Sequence, residues 1–397
     1  MGKYIAIAEQ ALAAGEYKKA LEYAEKALAG DQYNLKALNT AAMAATQLGE
    51  YQKAVVLYEQ ALVIQGETPE VYYNLGLLYD KMGDFKGAIK IYREALALAP
   101  DSADIYLSLA DALGETGQTE AALAAYDEAL RLDPGRDEAL FNKAVTMNRA
   151  GRCREASDLF SRLLTKYPDD AAVLEGKAFS IGCQGRLEEA LLLYERAESF
   201  LPSDPSICYN KAMTLERLGR RDEALTGLER VLALDPEFPG AGLEKANILG
   251  DAGRDAEALE VYNREAERSP DNMMVFFNRG ISLSRLGRHQ EALMDFERVL
   301  EQDPGNMAAL NNKGSVLMSL GLYNAALECF ETVLKADRKN PLAQYNKACA
   351  LARLGHAKAA AAALKRAVQL DKNALSRAAS DPDFDRVRAH PDFTGLA

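Results

Sequence analysis

Apolar and small residues recur along this chain with a helical period, and that pattern is itself repeated every 34 residues. In residues 69–102 the recurring positions are Tyr72, Leu75, Gly76, Tyr79, Gly83, Ala88, Tyr92, Ala95 and Pro100. With Pro69 as position 1 they are positions 4, 7, 8, 11, 15, 20, 24, 27 and 32 of the unit. This spacing predicts two amphipathic helices per unit, A over positions 1–14 and B over roughly 16–30. The register runs without insertion through eleven repeats: 1–34, 35–68, 69–102, 103–136, 137–170, 171–204, 205–238, 239–272, 273–306, 307–340 and 341–374. Residues 375–397 form a tail.

Each invariant position has a physical reason. Gly stands at position 15 in all eleven repeats, from Gly15 to Gly355, where helix A ends and the chain must turn through a left-handed conformation. Position 20 is always Ala, and position 8 is always Gly or Ala, so helices A and B can approach closely. Position 24 is aromatic in eight repeats (Tyr58, Tyr92, Tyr126, Phe160, Tyr194, Tyr262, Phe296 and Phe330), and these rings are expected to fill the space between repeats. Pro occupies position 32 from Pro100 to Pro304 and stops helix B. Repeats one and two have Gln32 and Gly66 there instead. One helix pair cannot bury its apolar faces alone, so successive pairs are expected to stack.

The spacing and residue types resemble the tetratricopeptide repeat (TPR) family over about nine-tenths of the chain. The resemblance implies an all-α fold, a right-handed TPR superhelix (an α-solenoid) of eleven helix-turn-helix repeats. The tail, with Phe384, Val387 and Phe393, is similar to a short capping segment that follows the last repeat in some TPR proteins. On that reading the three side chains close the apolar end of the array; the other reading is a docking motif.

Composition narrows the function. The net charge is −12, which argues against general nucleic-acid or anionic-membrane binding. The five cysteines are scattered and odd in number, as expected of free thiols in a reducing compartment. With no signal peptide or transmembrane run, the expected location is cytoplasmic. The three histidines share no metal-ligand spacing. Asp381, Asp383 and Asp385 imitate the start of a calcium loop, but Arg386 stands where that loop needs Gly. No phosphate-binding loop or dinucleotide fingerprint is present, and little chain lies outside the repeats to build a catalytic domain. No enzyme, metal or cofactor is expected.

Two local departures stand out. From the fifth repeat on, position 7 is basic (Lys143, Lys177, Lys211, Lys245, Arg279, Lys313 and Lys347), and the expected partner is the Glu at position 19 of the same repeat, such as Glu155 or Glu223. The eighth repeat has Gly240, Gly242 and Gly250 in its A helix and Glu265 at an otherwise apolar position, and is expected to be the softest interior repeat.

A second, 68-residue period lies on the A helices. Odd repeats from the third on are aromatic at position 5 (Tyr73, Phe141, Tyr209, Phe277 and Tyr345). They carry Asn at position 6 (Asn74, Asn142, Asn210, Asn278 and Asn346), where the tenth repeat also has Asn312. They are basic at position 13 (Lys81, Arg149, Arg217, Arg285 and Arg353). Even repeats have unrelated residues at positions 5 and 13. A two-repeat block copied several times would leave the same trace without any function. In the TPR family, however, positions 2, 5, 6, 9, 12 and 13 of helix A face the concave groove, so the resemblance puts all three rows there. The TPR arm of O-linked N-acetylglucosamine transferases similarly lines its groove with Asn at position 6, which clamps a peptide backbone. The carboxylate clamp of TPR co-chaperones is not matched: Asn247 and Asn278 fit two of its places, but Leu243, Ala308 and Asn312 replace its basic residues.

The expected function is therefore a non-catalytic protein-interaction scaffold. Its groove would take an extended acidic segment with apolar side chains, of about 12 residues across repeats five, seven and nine. The rival is self-assembly into homo-oligomers through end faces or the B-helix surface. A helical-repeat RNA binder is disfavoured by the repeat length and the acidic charge.

Overall fold

The computed structural model describes residues 2–65 and 68–394. Gly66, noted above at a turn, lies outside the described residues, as do Met1 and the last three residues of the tail. Among the described residues the regular structure is all helical, with 24 α-helices and one short 3-10 turn. The chain divides into two compact segments, Met1–Ser203 and Asp204–Ala397. The first runs from the helix pair Gly2–Ala13 and Tyr17–Gly30 to Ala171–Cys183 and Leu187–Phe200. The second runs from Pro205–Arg217 and Arg221–Leu234 to Pro341–Arg353 and Ala357–Leu370. Within each segment every helix of the repeats packs on the next in sequence, and most A helices of successive repeats also meet. Each segment is a stack of helix pairs, the α-solenoid arrangement.

The turn between A and B is set by its glycine. At Gly15, Gly83, Gly219 and every other position-15 glycine φ lies between 74° and 82°. The N–H of the following residue then donates to the carbonyl five residues back, as in Glu16 to Ala11 (2.8 Å), Asp84 to Tyr79 (3.0 Å) and Arg220 to Leu215 (2.9 Å). This closure satisfies carbonyls that the helix end leaves without partners. The B helices Phe85–Leu98 and Thr119–Leu132 stop two residues before Pro100 and Pro134, as the position-32 proline requires.

The core follows from close approach. All eleven position-20 alanines are fully buried, and the eight position-24 rings are at most 2% exposed. A Cβ added at Gly76 would lie 2.3 Å from the Tyr92 ring, and one at Gly314 would lie 2.5 Å from Phe330. In the fifth repeat position 8 is Ala144, and the Phe160 ring lies instead on Gly176 of the sixth, where an added Cβ would meet it at 2.4 Å. Rings and small residues are therefore matched pairs.

Two sequence expectations are corrected here. Four of the position-7 cations pair outside their own repeat, and Arg279 pairs with Asp295 of its own B helix (2.6 Å) in place of Glu291. Lys143 pairs with Asp127, Lys245 with Glu229 (2.9 Å), Lys313 with Glu297 (2.9 Å) and Lys347 with Glu331 (2.7 Å), each acid belonging to the B helix of the preceding repeat. Glu155, Glu223, Glu257 and Glu291 are taken by the position-16 arginines at the start of their own B helices, as in Arg220 to Glu223 at 2.6 Å. In the eighth repeat Gly240 precedes the A helix, which spans Ala241–Asp251, and takes φ 82° at its N-cap. Gly242 makes room for Glu265, whose Oε1 would lie 2.0 Å from an added Cβ. Arg268 approaches the same carboxylate at 3.7 Å. One of the glycines of this repeat thus accommodates the partly buried acid that the sequence set at an apolar position.

The tail folds over the eleventh repeat. Phe384 is fully buried, Val387 is 2% exposed and Phe393 9%, in one cluster with Tyr345, Leu364 and Ala367. The Tyr345 hydroxyl donates to Asp381 (2.7 Å), and the Arg388 guanidinium donates to the carbonyls of Ala378 and Asp381.

Two substitutions test this packing. Gly76→Ala is expected to destabilise by about 1–3 kcal/mol through overpacking against Tyr92. Gly114→Ala, whose new Cβ would have only Thr146 Oγ1 within 4 Å, at 3.9 Å, is expected to be neutral or to stabilise by up to about 1 kcal/mol. Equal effects in thermal melts would contradict the ring-on-glycine account. In the tail, Phe384→Ala is expected to cost about 3–5 kcal/mol of local stability, seen as faster hydrogen exchange in residues 341–393; unchanged exchange there would remove its packing role.

Candidate functional site

Of the A-helix rows singled out by the 68-residue period, the asparagines are half-buried, the rings are half-buried or buried and the cations are mostly exposed; most of the polar ones are tied to the preceding, even repeat. In the first segment Asn74 Nδ2 donates to Asn39 Oδ1 (3.3 Å) and Lys81 Nζ to Gln47 Oε1 (2.9 Å). Asn142 Nδ2 donates to Asp111 Oδ1 (3.0 Å), and Arg149 Nη1 to Glu115 Oε1 (3.2 Å). In the second segment Asn278 Nδ2 donates to Asn247 Oδ1 (2.8 Å) and Asn346 Nδ2 to Asn311 Oδ1 (3.1 Å). Arg285 donates to the Gly250 carbonyl (2.9 Å) and lies 3.4 Å from Asp255, while Arg353 donates to the Tyr323 hydroxyl (3.0 Å). At all four of these junctions the odd repeat carries the donors and the even repeat the acceptors.

The aromatic row packs downward. Tyr73, Phe141 and Phe277 stack on the position-24 rings Tyr92, Phe160 and Phe296 of their own repeats, with centroids 6.1, 5.7 and 6.0 Å apart. Tyr209 packs on Phe238 (5.1 Å) and Tyr345 on Phe384 (5.9 Å). Asn210 is half-buried and Arg217 exposed. Asn312 is half-buried and makes no side-chain hydrogen bond among the described residues. Apart from Asn247, the even-repeat acceptors were not singled out in the sequence; the available signal was an acceptor 30–35 residues before each donor.

Two sequence-equivalent junctions open into cavities. In the first segment one of about 200 Å³ lies between repeats four and five, lined among others by Asp111, Glu115, Phe141, Asn142 and Arg149. In the second segment one of about 400 Å³ lies at repeats seven to nine, lined among others by Glu216, Glu244, Asn247, Asp251, Asn278 and Arg285. Both are built on one triad: the Asn at position 6 of the odd repeat and the position-24 Tyr of the even repeat donate to one acceptor. That acceptor is Asp111, shared by Asn142 and Tyr126, or Asn247, shared by Asn278 and Tyr262. Burial, with Asp251, Asp255 and Glu244 adding to it, pushes the Tyr262 hydroxyl above its ordinary range.

The third repeat holds a half-buried carboxylate, Asp80. The Tyr92 hydroxyl donates to Asp80 Oδ2, while Oδ1 is buried and has no hydrogen-bond partner among the described residues. Burial pushes the Asp80 carboxyl up to about 6; the Tyr92 hydrogen bond opposes the shift and the charge of Asp111 adds to it. Burial also raises Asp111, against the hydrogen bonds from Tyr126 and Asn142. Since the unfolded value is about 4, ionisation of Asp80 costs stability. Its favourable contribution is present below about pH 4 and is lost as the pH rises through about 6. The melting temperature of Asp80→Asn relative to wild type is therefore expected to rise between about pH 4 and pH 7; parallel curves would contradict this.

All five cysteines carry free thiols, and Cys183 is exposed. The Cys349 thiol and the Asp381 and Asp383 carboxylates place ligand-type atoms within 4.8 Å of one another where the tail meets the last repeat. Asp381 is already engaged there by Tyr345, and Arg353 approaches Asp383 at 3.8 Å. No helix among the described residues is long and apolar enough to cross a membrane.

No curated protein matches the chain. Among solved structures it is similar to yeast Tom70 at 14% identity, covering 99% of this chain and 98% of that one, with a TM-score of 0.39. It is similar to the APC/C hetero-tetramer Cut9-Hcn1 at 15% identity, with 96% and 94% covered and a TM-score of 0.46. A tetratricopeptide repeat protein from Parabacteroides merdae matches at 16% identity, with 62% and 97% covered and a TM-score of 0.45. Family models described as tetratricopeptide repeat match residues 33–101, 73–146, 115–178, 209–272, 283–352 and 342–373. These matches span most of the sequence, and the chain belongs to the tetratricopeptide repeat family.

Proposed function

We propose that this protein is a non-catalytic, cytoplasmic scaffold that holds an extended segment of a partner protein along its A-helix face. The observation that carries this reading is the repeated cavity at the even–odd junctions, with its Asn–acceptor–Tyr floor. Asn142 and Asn278 each use one amide N–H on the repeat below. Each keeps a second N–H and a carbonyl oxygen, the pair of groups that a peptide unit of an extended chain matches. The half-buried rings beside them offer apolar surface. The chain thereby presents separate backbone-holding points in each segment. The eleven-repeat organisation, with residues 375–397 as a cap, forms part of the same proposal.

The arginine row, from which an acidic ligand is expected, is partly engaged within the stack. Arg149 pairs with Glu115 through Nη1, and Arg285 Nη1 meets Asp255 and the Gly250 carbonyl. The asparagines remain.

Selection from a displayed library of random peptides of about 12 residues tests the proposal. Enriched peptides are expected to bind the folded protein and to lose about tenfold in affinity with Asn142→Ala plus Asn278→Ala. Binders indifferent to that variant would place recognition elsewhere. Absence of binders, together with a mass that rises with concentration in sedimentation, would favour self-assembly.

A further inference from the structure

The larger cavity, in the second segment, has a chemical preference. It is lined by three carboxylates, Glu216, Glu244 and Asp251, and by one guanidinium, Arg285. Among the described residues none of the three carboxylates is joined to a basic side chain. Arg285 Nη1 is engaged by the Gly250 carbonyl and by Asp255, which is 11% exposed. The A helix Ala241–Asp251 supplies two of the acids at positions 6 and 13, and Pro205–Arg217 supplies the third at position 12. Ile248 and Ile281 give the cavity apolar walls. Its volume of about 400 Å³ falls within the ordinary range for ligand pockets.

Resting on the reading that the A-helix face binds an extended chain, we propose that this cavity receives a lysine or arginine side chain of a basic partner segment. The aliphatic stem of that side chain lies along Ile248 and Ile281 while its charged head meets Glu216, Glu244 and Asp251. The backbone beside it is held by Asn278. Such a head group stays partly solvated in an open groove, so the attraction is screened by salt and sets specificity more than raw affinity. The smaller cavity of the first segment is the weaker version, because its Glu115 is already neutralised by Arg149.

The probe is a set of three labelled peptides of about 12 residues with identical apolar positions. Their polar positions are all Lys, all Glu or all Ser. Binding is read by fluorescence anisotropy at low salt and at about 0.3 M salt. The Lys peptide is expected to bind best and to weaken with salt. Glu216→Gln, Glu244→Gln and Asp251→Asn together are expected to reduce its affinity about tenfold with the melting temperature unchanged. Because the whole chain is acidic, a control removes the same charge from outer B helices: Glu94→Gln, Glu267→Gln and Glu301→Gln. The control is expected to leave binding within about twofold of wild type. Equal losses in the two triple variants would make the attraction non-specific and overturn the proposal. A Ser or Glu peptide that binds as well as the Lys peptide would overturn the charge preference and leave the groove reading standing. No binding by any of the three would overturn both.

Discussion

The structure depends on how closely helix A can lie on helix B. A ring at position 24 faces a backbone that carries no side chain, or only a methyl group, at position 8. Tyr92 on Gly76, Phe296 on Gly280 and Phe330 on Gly314 leave no space for a Cβ without displacement. With that distance set, the position-20 alanines are fully buried and the glycine turn has one geometry to satisfy. Interiors packed this densely tolerate neither gaps nor insertions. The strict 34-residue register is the sequence-level consequence.

On this frame the A-helix faces are organised in pairs. Donors on odd repeats find acceptors on the even repeat before them: amides on amides or carboxylates, and a cation on Gln47, Glu115, Asp255 or Tyr323. The 68-residue period is therefore read in the folded protein as complementary halves of a junction. Hydrogen bonding joins the odd residues to the even ones at each of these junctions. Where the junction leaves room, as at repeats seven to nine, a cavity with uncompensated carboxylates remains.

Much of the fold was legible because each signal was local. The position-15 glycine and the proline stop each act within one repeat. The partners of long polar side chains were harder to read, because they lie in the neighbouring repeat. Lys143 was matched on sequence to Glu155, yet the preceding B helix brings Asp127 to it, sixteen residues upstream. The arginine row looked free for a ligand because its partners Glu115 and Asp255 sit about one repeat away in sequence. Gly242 read as a weak helix residue, since nothing local to it reveals that Glu265 occupies the space of the missing side chain. The buried Asp80 was invisible for the same reason: its environment is made by Tyr92 and Asp111 on other helices.

The central claim is that the A-helix face of the stack is the recognition surface. Hydrogen exchange of the full chain, with and without saturating Lys-bearing peptide, tests it most directly. The account predicts added protection in Ala241–Asp251 and Met273–Arg285, with little change in the B helices Asp255–Arg268 and His289–Gln302. Protection concentrated in those B helices, with the A helices unchanged, would contradict it.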